Sequence, residues 1–86
     1  MNYLKLINAL SVKEVIDSIE ITIPSDDIIF LPRTKFVRAE NEQEYIDLCF
    51  YNDVILHIGK KEIVSIEVYN ESAVITTDCQ KYQFNY

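Results

Sequence analysis

His57 is the only side chain in the sequence whose unperturbed pKa lies near neutrality. With Cys49 or Cys79 it has the makings of a Cys-His nucleophile pair or a metal site. The spacing supports neither. Metal sites announce themselves through closely spaced pairs of ligands, whereas each cysteine here stands alone and one histidine serves both. A Ser-His-Asp arrangement fails for the same reason, because the choice of Ser and Asp would be arbitrary. His57 is therefore read as a strand residue on the less buried face and Cys49, between Leu48 and Phe50, as a small packing group. Cys79 is read as an exposed thiol in a turn. Asp26-Asp27 and the spaced Glu40, Glu42 and Glu44 offer paired carboxylates of the kind used in acid-base catalysis or calcium binding. A calcium loop needs a glycine at its sharp turn, and neither segment has one. No catalytic, cofactor or metal site is assigned, and the chain is expected not to be an enzyme.

Charge stands further above background. Arg33, Lys35 and Arg38 follow one another without an intervening acid, after which Glu40, Glu42, Glu44, Asp47 and Asp53 place five acids in fourteen residues without a base. Such a field raises encounter rates with a basic protein surface, although a merely solubilising face would have the same composition. Six Tyr and four Phe in 86 residues add large rigid side chains suited to interfaces. Tyr51, Tyr82, Phe84 and Tyr86 join the five acids as candidate partner-binding residues. The terminal run Tyr82 to Tyr86 has nothing after it to cover it and so reads as an open pairing edge.

The elements that must hold these residues are mostly strands. Thirteen Ile and seven Val against six Leu and three Ala favour a pleated surface over helix. Turn signals at Asn52-Asp53, Gly59-Lys60-Lys61, Asn70-Glu71-Ser72 and Asp78-Cys79-Gln80 divide the second half into five short runs, a hairpin meander. Ile46, Leu48 and Phe50 share one face, as do Val54, Leu56 and Ile58, then Val64, Ile66 and Val68, and finally Tyr82, Phe84 and Tyr86. Asp47, Ser65, Glu67, Gln83 and Asn85 take the wet face. Asn41 and Glu44 also form a capping signature, so 42–51 is open between strand and helix, with strand preferred. Ser11 to Glu14 is a capping box ahead of an apolar stripe at Val12, Val15, Ile16 and Ile19, which predicts a helix from Val12 to about Ile19. Tyr3, Leu4, Ile7 and Leu10 suit a short helix before it. Ile19, Ile21 and Ile23 alternate as a strand, and Asp27 to Leu31 reads as a short buried strand stopped by Pro32.

Together these imply a single α+β domain over 1–86, mainly β. Its N-terminal amphipathic helix packs on a curved antiparallel sheet or small half-open barrel. A formal net charge of −6 argues against a general grip on nucleic acid. No apolar run reaches the length of a membrane span, and no secretory signal is seen, so the cytoplasm and free thiols are expected. The functional expectation is a small acidic intracellular protein-binding module, an inhibitor or adaptor without cofactor. It would engage a basic, nucleic-acid-handling protein through its carboxylates, as phage-encoded inhibitors do. The alternatives are a homodimer paired through the C-terminal strand and, less favoured, a small ligand-binding barrel.

Overall fold

The computed structural model describes residues 1–86. It contains one helix, α1 (Tyr3–Ser11), and eight strands. These are β1 (Ser18–Thr22), β2 (Ile28–Leu31), β3 (Phe36–Asn41), β4 (Tyr45–Phe50), β5 (Val54–Gly59), β6 (Ile63–Val68), β7 (Ser72–Thr77) and β8 (Lys81–Asn85). They form two antiparallel sheets, ordered β2-β1-β8-β7-β6 and β3-β4-β5, and no sheet closes into a barrel. No helix is long and apolar enough to cross a membrane.

The inner face of the larger sheet is written in its cross-strand rows. Ile19, Phe84 and Ala73 stand abreast, as do Ile21, Tyr82 and Ile75, and all six are buried. The smaller sheet supplies Ile46, Leu48, Phe50 and Ile58 to the same cluster of sixteen buried apolar residues. The Phe50 ring stacks on Phe84 at 6.1 Å and meets Phe36 edge-on at 5.7 Å, so an aromatic row ties one sheet to the other. Helix α1 lies against β3 and β6 and inserts Leu6 and Leu10, both fully buried, with Tyr3 and Ile7 at the margin. These four positions are spaced i, i+3, i+4 and i+7, one helical face.

The second-half meander falls into the expected strands, including β4 over the ambiguous 42–51 segment. One of its turns is not a hairpin. Lys60–Glu62 forms a single 3₁₀ turn whose Lys60 N–H donates to Glu44 O, while Asp78 N–H donates to Glu62 O. The turn is thus tied to the smaller sheet at one end and to the larger at the other, and it carries the chain across.

Four expectations are corrected. The helix lies at Tyr3–Ser11, not at Val12 to Ile19. Ser11 is its last residue, and its hydroxyl donates back to Ile7 O at 2.6 Å instead of capping a following helix. The stripe that suggested the later helix is β-branched throughout, and the structure divides it: Ile16 bridges to Thr34, Ile19 enters β1, and Val12 and Val15 are exposed. Strand β2 is an edge, not a buried strand, and exposes Ile28, Ile29 and Phe30. In β6 an irregularity between Ile63 and Ser65 shifts the register, so Ile63 and Ile66 face inward and Val64 is exposed. Finally, β8 is the central strand, paired with β1 on one side and β7 on the other, so its edges are already occupied. The C-terminal strand is therefore not the open pairing edge expected of it.

Candidate interaction surface

The outer face of β3-β4-β5 gathers most of the singled-out residues. Antiparallel register sets Glu40, Asp47 and His57 abreast on the three strands, and Arg38, Cys49 and Ile55 in the neighbouring row. Tyr45, Asp47 and Cys49 alternate along β4 with the inward Ile46, Leu48 and Phe50. Asp47 Oδ1 lies 2.5 Å from His57 Nδ1, and the His57 ring leans on Tyr45 with centroids 4.7 Å apart. Arg38 pairs loosely with Glu40 at 3.7 Å, both side chains largely in water. Exposed pairs of this kind contribute little to stability.

Glu42 and Glu44 stand exposed in the β3–β4 turn, beside Glu40 at the end of β3. The Tyr45 phenol pKa is raised above its ordinary 10.0 by desolvation and then by the Glu42, Asp47 and Glu40 carboxylates. Glu40, Glu42 and Asp47 thus share one neighbourhood, with Glu44 in the same turn as Glu42. Asp53 does not. It sits with Tyr51 in the β4–β5 turn, a strand's length away, where Asn52 and Asp53 both adopt left-handed backbone, φ 64° and 61°. Asn and Asp tolerate that conformation best among residues with a side chain, which gives Asp53 a local reason for its identity.

At that second end apolar side chains stand exposed among polar ones. Val37, Tyr51 and Ile55 are exposed and, with Arg38, Cys49, Phe50, Asn52 and Asp53, line a shallow groove of about 270 Å³. The Lys35 ammonium lies 5.7 Å over the Tyr51 ring. Hydrophobic-polar alternation alone misses this groove, because the bulge between Phe36 and Arg38 leaves Val37 and Arg38 both on the surface.

The remaining expected contacts are structural. Tyr82 and Phe84 are buried on the inner face of β8 and cannot meet a partner. Tyr86 is half-buried, its one hydroxyl proton shared between Tyr69 O at 2.8 Å and Ser72 O at 3.0 Å and its ring covered by Lys13. Burial raises the phenol pKa of Tyr86, and burial followed by the Cys79 and Glu62 charges raises that of Tyr82. The sign follows: below pH about 10 both phenols are neutral in either state, and above it the unfolded chain ionises first. Stability is therefore expected to fall with rising pH from about 10 upward. Chemical denaturation of the wild type beside Tyr82→Phe and Tyr86→Phe should show a shallower alkaline decline in both variants.

Other chemistry is sparse. Both cysteines are free, Cys49 buried and Cys79 exposed, and no three His, Cys, Asp or Glu side chains converge as metal ligands. Thr77 is the one buried polar residue. Its Oγ1 accepts from the Cys79 and Gln80 amides and donates to Gln80 O, so it builds the β7–β8 turn and leaves nothing free for a ligand. No family model matches the chain, and comparisons with curated proteins and with solved structures find no match either.

Proposed function

We propose that the protein is a binding module that presents the outer face of β3-β4-β5 to a basic protein surface, as an inhibitor or adaptor. The observation that carries this reading is the division of that face. Glu40, Glu42 and Glu44 hold carboxylates in water at one end, and Val37, Tyr51 and Ile55 expose apolar side chains in a groove of mixed polarity at the other. Carboxylates steer a cationic partner and fix its orientation, and desolvating those apolar side chains then supplies affinity. A solubilising surface has no need of the second component. A nucleic-acid-handling partner fits best, because its own surface is built to receive anions.

Glu42→Lys combined with Glu44→Lys is expected to slow association with the partner on the order of tenfold and to flatten its salt dependence. Both side chains are exposed in a turn, so the fold should be unchanged. Capture from a lysate of the source cell, followed by association kinetics at two salt concentrations, makes the comparison. A reversed variant that keeps the wild-type rate and salt response leaves the carboxylates as solubilising groups only.

A further inference from the structure

The β2 edge carries a different kind of surface. Ile23 N–H donates to Asp27 O, which continues the β1–β2 register, and antiparallel alternation then turns Ile21 and Ile29 toward each other and points the N–H and C=O groups of Ile28 and Phe30 away from the sheet. The side chains there are apolar and exposed: Ile28 58%, Ile29 47% and Phe30 61%. Proteins usually blunt such an edge with a charge, a proline or a bulge within the strand. Both β6 and β3 carry register irregularities, whereas β2 is regular and has none of the three between Ile28 and Leu31.

The charges that flank this strand identify its occupant. Asp26 and Asp27 precede it, and Arg33 and Lys35 follow it. A strand with acid at its start and base at its end complements itself when it meets a copy running the other way. Arg33 has only a loose pair with Asp17, at 3.9 Å, and both side chains are mostly in water. We infer that a second copy of this chain pairs antiparallel along β2, with Ile29 on the two-fold axis, Ile28 opposite the partner's Phe30, and the acidic end of each strand beside the basic end of the other. That register brings the outward amides of Ile28 and Phe30 together and makes one continuous ten-stranded sheet from two five-stranded ones. The four flanking charges on each copy sum to zero, whereas each whole chain carries −6.

Sedimentation equilibrium over a range of protein concentrations tests the arrangement. The wild type should approach twice its monomer mass, and Phe30→Lys should weaken self-association at least about tenfold, since a lysine on an exposed edge opposes pairing. A charge-swap pair then tests whether the flanking charges meet across the seam. Asp26→Lys with Asp27→Lys, and separately Arg33→Glu with Lys35→Glu, should each self-associate poorly, whereas an equal mixture should recover a dimer. Far-ultraviolet circular dichroism of every variant confirms its fold, and all substituted side chains are exposed. A wild type that stays monomeric at millimolar concentration overturns the inference and leaves β2 as a protected edge or a site for a foreign strand. A dimer indifferent to Phe30→Lys but lost in Ile55→Lys overturns it in favour of the β5 edge. A mixture that fails to recover the dimer overturns the antiparallel arrangement.

Discussion

Truncating Phe84 to alanine is expected to lower the unfolding free energy by about 3 to 5 kcal/mol, a large part of what so small a domain possesses. Phe84 is fully buried on the central strand of the larger sheet, and its ring stacks on Phe50 of the smaller one. The truncation removes transfer energy, leaves a cavity bounded by strands on both sides, and takes away the aromatic contact that ties the two sheets together. Relaxation into the hole is restricted because β8 is held by backbone pairing on both flanks. Phe84→Leu should recover much of the loss, since it restores volume without the stacking. Urea denaturation of the two variants makes the comparison. A midpoint for Phe84→Ala within the scatter of the wild type would mean that the sheets cohere without this side chain. The same geometry removes Phe84 and Tyr82 from any partner surface, so a binding defect in either variant would report lost stability and not a lost contact.

Placement of Phe84 shows where the sequence was legible and where it was not. Alternation along Tyr82 to Tyr86 set Tyr82 and Phe84 on one face correctly, because the period of a strand is a local property. Whether that strand lies at an edge or in the centre is decided by pairing with β1, sixty-odd residues earlier in the chain, and no local pattern reports it. The same limit applies to β2. An unbroken apolar run reads as buried on both faces, yet Ile28, Ile29 and Phe30 stand at an edge because nothing pairs beyond them. The acidic surface was legible for a simpler reason. Glu40 and Asp47 lie on two strands joined by the short turn that holds Glu42 and Glu44, so proximity in sequence becomes proximity in space, whereas Asp53 lies past the far end of β4. The groove beside it was hidden, because a bulge leaves Val37 and Arg38 both on the surface and bulges leave no mark in composition.

The two halves of the N-terminal segment should respond to truncation very unequally. Leu10→Ala is expected to cost about 2 to 5 kcal/mol, and Val15→Ala well under 1 kcal/mol. Both residues lie on apolar stripes with helical spacing, and the Ser11 to Glu14 capping signature even favours the second stripe. Side-chain type decides between them. Leu6 and Leu10 lose little rotamer freedom in a helix, whereas Val12, Val15, Ile16 and Ile19 are stiffened at χ1 and fit extended backbone better. The Ile19-Ile21 alternation then competes for the end of the second stripe, and pairing of β1 with both β2 and β8 outweighs a single turn of helix. The outcome is a fully buried Leu10 in α1 and a Val15 that is 39% exposed in the link to β1. Ile16, next in the chain, is fully buried, and its backbone exchanges two 2.9 Å hydrogen bonds with Thr34. Ile16→Ala should therefore behave like Leu10→Ala and not like its neighbour. Thermal and urea midpoints for the three variants give the ranking, and a Val15→Ala loss equal to that of Leu10→Ala would place the helix on the wrong side of Ser11.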